Sequence, residues 1–175
     1  NTMRLFRRIL GIVLACVWAT TTHGQGFDVE PFLGEHWYGL YMTGEKVGYS
    51  SSVVTREDGG DISVVEDALF RLNMAGIKQE MKMYTKRIYA PDGALSSIES
   101  TVDDVTGLKR FDALVDGDVL KLTSKMGSQT VTKELPVPSE TLKDMLKIVD
   151  LLSGDPQPGD SVSFSVFEPM YQLEI

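Results

Sequence analysis

Apolar and polar residues alternate with period two along much of this chain, and this alternation constrains its fold more than any other feature. In residues 62–74, one set of alternate positions is apolar: Ile62, Val64, Ala68, Phe70, Leu72 and Met74. In residues 81–89, Met81, Met83 and Tyr89 share one side, and residues 162–166 also alternate strictly. Such alternation is typical of β-strands with one face in a core.

Short turn sequences separate the alternating segments. Glycine recurs in them next to Asp, Thr, Ser or Asn-like turn formers, as in Thr43-Gly44, Asp58-Gly59-Gly60, Pro91-Asp92-Gly93 and Asp116-Gly117-Asp118. Tight turns join antiparallel neighbours, whereas parallel neighbours need long crossovers. The sequence therefore predicts an antiparallel meander of eight or nine strands between residues 37 and 137, with one or two more near the end.

One segment has helical rather than strand periodicity. Its apolar residues recur three or four positions apart: Leu142, Met145, Leu146, Val149 and Leu152. Ser139 or Thr141 can cap the start, and Gly154 with Pro156 ends the pattern. We predict a mainly β fold: a curved antiparallel meander sheet, half-barrel or sandwich, with one amphipathic helix over about residues 139–153 packed on it.

The N-terminal residues have the three parts of a secretory signal peptide. Arg4, Arg7 and Arg8 precede an apolar run over residues 9–19, and small or polar residues follow up to Gly24. The run is too short for a membrane-spanning helix, which needs about 20 residues, so no stable transmembrane anchor is expected. The prediction is export to the periplasm or the extracellular space, with lipidation at Cys16 as a second interpretation.

The predicted domain organisation follows from that cut. Residues 1–24 form the signal peptide, residues 25–35 a short linker, and residues 36–175 a single β-rich domain. The final residues resemble the start of another strand, so we expect the domain to be truncated before a C-terminal domain. Residues 25–175 hold 14 Lys and Arg against 25 acidic residues, a formal charge of −11, which argues against nucleic acid as a partner.

Catalytic and metal-binding residue sets are not recognisable in the sequence after residue 24. The only cysteine, Cys16, lies in the signal, and His36 is the only histidine that follows it. Thiol, Ser-His-Asp and zinc chemistry each need more such residues than this. The acidic turns 57–61 and 116–118 fit hairpin ends better than calcium loops. We therefore assign no catalytic, cofactor or metal site.

Four methionines are the residues that most suggest a binding role. Methionine adapts well to variable apolar ligands, and Met42, Met74, Met81 and Met83 fall on predicted strands. They define a predicted apolar-ligand face. The alternative is that these side chains fill the core between sheet and helix.

The segment 37–50, WYGLYMTGEKVGYS, is more specific than a hairpin requires. It resembles the opening hairpin of bacterial exported proteins with a transglutaminase-like catalytic domain, in which a W-x-G-x-Y-x-x-G-x-K-x-G-Y pattern starts the N-terminal region. Residues 91–93, the helix after Leu135-Pro136 and residues 158–160 match in order as well. The resemblance implies a non-catalytic accessory domain whose partner, a Cys-His-Asp catalytic core, lies downstream in the same protein.

Two other functional classes remain open. A curved antiparallel sheet with a helix in its concavity also suits a periplasmic carrier of apolar ligands or lipoproteins, and methionines facing an unfilled cavity would favour it. A structural interaction module is the third class. An exposed, pairable edge strand near Trp37 or Ile175 would support that class.

Overall fold

A computed structural model describes residues 28–74, 77–154, 159 and 161–174. The predicted signal peptide, including Cys16, lies outside these residues. The described chain forms one eight-stranded sheet with strands in sequence order and all neighbours antiparallel. The strands are β1 (Gly34–Met42), β2 (Glu45–Arg56), β3 (Ile62–Met74), β4 (Ile77–Tyr89), β5 (Leu95–Asp104), β6 (Gly107–Asp116), β7 (Val119–Met126) and β8 (Gln129–Pro136). The predicted antiparallel meander is confirmed.

The hairpin turns occur where the glycine-containing sequences predicted them. Between β1 and β2, for example, Thr43 and Gly44 have φ angles of 50° and 85°. A positive φ at both central residues gives the turn a twist that matches the twist of the strands it joins. Glycine adopts this backbone conformation without the steric cost that a β-carbon adds.

One face of the sheet carries the core. Val54, Val64, Ile98, Ala113 and Leu122 lie in one row across five strands and are all buried. Tyr89 and Ile62, paired on neighbouring strands, are buried on the same face. We call this the core face and its reverse the outer face. The predicted positions of Met81, Met83 and Tyr89 on one side of β4 follow from the same register.

Helix α1 (Leu142–Ser153) covers part of the core face, as its apolar periodicity predicted. Its buried residues are Leu142, Met145, Leu146 and Val149. The helix begins later than the predicted residue 139, because Thr141 has an extended backbone and is its N-cap. The Thr141 Oγ1 accepts a hydrogen bond from the backbone N–H of Asp144.

Replacing Thr141 by alanine is expected to lower the free energy of unfolding by about 1 kcal/mol, because an N–H at the start of α1 loses its acceptor. Urea denaturation followed by circular dichroism measures the change. The Thr141→Ser protein keeps the hydroxyl and should stay close to the parent. Equal losses in the two variants would contradict a capping role.

The folded unit begins before residue 36. Val29 is buried in the core, a 3-10 helix spans Glu30–Phe32, and β1 starts at Gly34. Much of the predicted linker over residues 25–35 therefore belongs to the domain. An apolar side chain at position 29 reaches the core, which a free linker would not provide.

The C-terminal segment differs from the prediction. Residues 161–166 form no strand despite their strict alternation, and only the short β9 (Phe167–Glu168) and β10 (Leu173–Glu174) pair there. The segment is instead held by side chains, as where Lys147 Nζ donates to Ser163 O at 3.0 Å. Alternation reports that one side is buried, and this segment buries Val166 without joining the sheet.

No helix in the described part of the chain is both long and apolar enough to cross a membrane.

Candidate functional site

The predicted methionine face is only partly assembled. Met83 lies opposite Ala68 and Met81 opposite Phe70 on the core face, where both methionines pack against the core. Met42, at the end of β1, is largely exposed, and the side chain of Met74 lies outside the described residues. The cleft beside Met81 measures about 120 Å³. Drug-sized ligand sites have about 300–1,000 Å³, so this cleft suits core filling better than a ligand.

Aromatic side chains are exposed on the first hairpin. Trp37 is 62%, Tyr41 67% and Tyr49 41% exposed. The Trp37 and Tyr49 ring centroids lie 5.7 Å apart in a tilted arrangement, which is a favourable aromatic contact. The residue opposite Tyr49 on β1 is Gly39, so no side chain separates the two rings on that strand. We call Trp37, Tyr41 and Tyr49 the aromatic hairpin surface.

A groove of about 350 Å³ continues from this surface across the outer face. Tyr49 forms one boundary, and Leu69, Tyr84 and Leu108 contribute further apolar surface. The polar residues that line it are Asp67, Lys82, Thr101 and Asp103. Met83, a member of the predicted ligand face, also borders this groove. A separate cleft of about 430 Å³ at the β3–β4 hairpin is lined mainly by polar and charged residues.

A buried charged cluster lies at the opposite end of the core face. The Glu140 side chain is fully buried and that of Arg87 is 4% exposed. Arg87 Nη1 donates to Glu66 Oε2 at 2.7 Å, and its Nε lies 3.2 Å from Glu140 Oε1. The Nε contact lacks hydrogen-bond geometry and is ionic. Tyr89 Oη donates to Glu140 Oε1.

The same carboxylate holds the C-terminal segment. Glu140 Oε2 accepts a 2.7 Å hydrogen bond from the backbone N–H of Phe167, and Arg87 Nη2 reaches Phe167 O at 3.4 Å. Glu140 immediately precedes the helix cap, and its two oxygens therefore join β4, the start of α1 and the C-terminal segment. Because the carboxylate is fully enclosed, this geometry stabilises the fold and offers no access to a substrate.

Burial and charge shift the pKa values within this cluster. Burial raises the pKa of Glu140, while Arg87 and the hydrogen bonds from Tyr89 and Phe167 oppose the rise. Burial also raises the pKa of Tyr89 well above its usual value, and Glu140 adds to the effect. Burial lowers the pKa of Arg87, but Glu66 and Glu140 reverse this, so its pKa is raised overall. Arg87 therefore stays charged in the core.

The sequence assigned this cluster no role. Glu140 fitted the favourable electrostatics of a helix start, and Arg87 drew no notice within β4. The alternation contained a signal nevertheless, because positions 81, 83, 87 and 89 all share the core face. An arginine on such a face needs a buried anionic partner.

His36 serves the local structure of the N-terminal residues. Its Nε2 lies 3.0 Å from the backbone oxygen of Phe32, in the 3-10 helix. No group of three or more His, Cys, Asp or Glu residues suited to a metal ion occurs among the residues that the structure describes.

Comparison of the chain with protein-family models, with curated proteins and with solved structures finds no match.

Proposed function

We propose that this chain is a non-catalytic accessory domain of an exported transglutaminase-like protein, and that it docks onto the catalytic domain through β1 and the aromatic hairpin surface. The observation that carries the proposal is the exposure of Trp37 and Tyr41 on a strand at the edge of the sheet. Large apolar side chains in contiguous exposed patches mark interaction sites. The resemblance noted in the sequence falls on the same hairpin.

The two edge strands of the sheet differ in a way that supports docking at β1. Edge strands that must stay free usually carry lysine, proline or inward charges that discourage pairing. β8 contains Lys133 and Glu134 and ends at Pro136. β1, in contrast, contains neither lysine nor arginine nor proline over Gly34–Met42. A partner could therefore add a strand at β1 or cover its aromatic side chains.

A carrier of apolar ligands is the second candidate function. The cleft lined by Phe70, Leu72 and Met81 favours it, because these side chains form a partly open apolar end of the core face. Its volume of about 120 Å³ is small for a lipid chain, so we rank this function below docking. Saturable binding of an apolar fluorescent probe, weakened by Met81→Ser, would reverse this order.

Trp37 provides a direct test of docking. The chain has two tryptophans, so the substitution Trp18→Phe leaves Trp37 as the only one. The test compares acrylamide quenching of Trp37 in this chain with quenching in the product of the full reading frame. We expect several-fold weaker quenching in the longer protein, because docking shields the indole.

A matched control places the tryptophan elsewhere on the outer face. Leu114 on β6 is about as exposed as Trp37, so Leu114→Trp with both native tryptophans replaced by phenylalanine reports on a distant surface. Its quenching should be the same in the short and long proteins. A reading frame that encodes no Cys-His-Asp core, or equal quenching of Trp37 in both proteins, would overturn the proposal.

A further inference from the structure

The groove on the outer face has an apolar floor between two tyrosines. Leu69 of β3 is buried, and it lies between Tyr49 of β2 and Lys82 of β4 in one row across the sheet. Tyr84 lies on the same face, two residues further along β4. A flat side chain that enters this groove would contact the Leu69 side chain and the tyrosine rings.

Two carboxylates line the same groove without a cation of their own. In the described part of the chain, neither Asp67 nor Asp103 forms a salt bridge. Lys82 is the cross-strand neighbour of Asp103, yet its ammonium lies 3.3 Å from Glu80 instead. The groove therefore presents negative charge beside its aromatic walls.

Tyr84 is consistent with this electrostatic environment. Burial raises the pKa of its phenol, and the carboxylates of Glu99 and Asp67 raise it further. The phenol stays neutral at physiological pH, so its ring keeps an electron-rich face and its hydroxyl can donate a hydrogen bond.

We propose that this groove binds the guanidinium group of an arginine presented by an extended segment of a protein partner. The inference rests on the proposed docking function and names the chemistry of the partner. Guanidinium is planar, stacks on aromatic rings and pairs with carboxylates through two parallel hydrogen bonds, so it matches both features of the groove. The groove meets the aromatic hairpin surface at Tyr49, so one partner segment can contact both.

Fluorescence anisotropy with the full chain tests this inference. The probe is a dye-labelled heptapeptide of alternating serine and arginine, compared with the same peptide in which citrulline replaces each arginine. Citrulline keeps the shape of the side chain and removes its charge. We expect the arginine peptide to bind saturably at about 0.15 M salt, where long-range attraction is screened, and the citrulline peptide to bind at least about tenfold more weakly.

Charge-matched variants separate the groove from the overall acidity of the chain. Asp67→Asn with Asp103→Asn should weaken binding of the arginine peptide by about tenfold. Asp58→Asn with Asp118→Asn removes the same two charges at exposed hairpin turns and should change binding by less than about twofold. Urea denaturation of both double variants checks that they fold equally well.

Three results would overturn the inference: no saturable binding of the arginine peptide, equal binding of the citrulline peptide, or equal weakening in the two double variants. None of them would touch the docking proposal, which depends on shielding of Trp37. Conversely, unshielded Trp37 with specific arginine binding would leave the groove site intact and remove its assignment to a catalytic-domain partner.

Discussion

Replacing Arg87 by methionine is expected to lower the free energy of unfolding by about 3–5 kcal/mol. The methionine fills much of the same space, but Glu140 then remains buried without its cation. Breaking a buried ion pair on one side is costly because the remaining charge has lost both water and its partner. Urea denaturation followed by circular dichroism measures the loss.

Arg71→Met is the matched control for Arg87→Met. Arg71 Nε pairs with Glu80 Oε2 at 3.0 Å, but both side chains are substantially exposed. An exposed pair contributes about 0–1 kcal/mol because water solvates both charges when the pair breaks. If the two substitutions cost the same, the Arg87 cluster would not be the enclosed fastener that its geometry describes.

The cost of Arg87→Met should also depend on pH. Burial raises the pKa of Glu140 above its ordinary value of 4.5, so the folded state holds this proton more tightly than the unfolded state. The stability contribution of this group is thus fully present below 4.5 and is lost as the pH rises through the folded pKa. Without Arg87, which lowers the pKa of Glu140, the folded pKa rises further.

Arg87→Met should therefore be least destabilising in acid, where Glu140 is protonated in both proteins. Unfolding measured at about pH 5 and about pH 8 tests this dependence. Adding Glu140→Gln should remove much of the pH dependence and recover part of the stability, because the amide carries no charge. A deficit that is constant across this range would contradict the role given to Glu140.

Replacing Gly48 by alanine is expected to cost about 1–3 kcal/mol or more, because the added carbon has no room. A β-carbon at this position would lie 1.8 Å from the backbone oxygen of Leu69 and 2.9 Å from its carbonyl carbon. A backbone atom within a paired strand cannot rotate away, so β2 and β3 must separate locally. The adjacent register shift between β1 and β2 shows how closely the strands are fitted here.

Gly39→Ala provides the comparison for Gly48→Ala. Its β-carbon would lie 2.8 Å from a ring carbon of Tyr41, an exposed side chain that can turn aside. We expect the cost to be below about 1 kcal/mol, close to the propensity change alone. Urea denaturation gives both values, and hydrogen exchange at Leu69 and Phe70 should rise only for Gly48→Ala. A larger loss for Gly39→Ala would contradict this account of the hairpin.

The three motif glycines illustrate how far the sequence could be interpreted. Gly39, Gly44 and Gly48 were assigned to one hairpin, and all three lie in it. Gly44 has the positive φ that its turn predicted. Gly48, however, is required because another backbone passes close by, and a sequence does not reveal which strand will be its neighbour.

The candidate site divides in the same way. The aromatic residues of the hairpin and the methionines could be singled out from the sequence, because they are apolar residues on predicted strands. The groove could not, since Asp67, Asp103 and Tyr84 come together only through the register of β3, β4 and β5. The methionine face was the reverse case, in which a plausible set failed to assemble because Met42 lies exposed at a strand end.

The sequence by itself determined the local features of this protein: alternating strands, glycine-containing turns, one amphipathic helix and therefore an antiparallel meander. These features depend on residues within a few positions of one another, and local backbone preference is encoded there. The tertiary structure alone decided which distant groups meet. It placed Glu140 between Arg87, Tyr89 and Phe167, and it left residues 161–166 outside the sheet. Burial and pairing across long sequence separations set those contacts, and no local pattern contains that information.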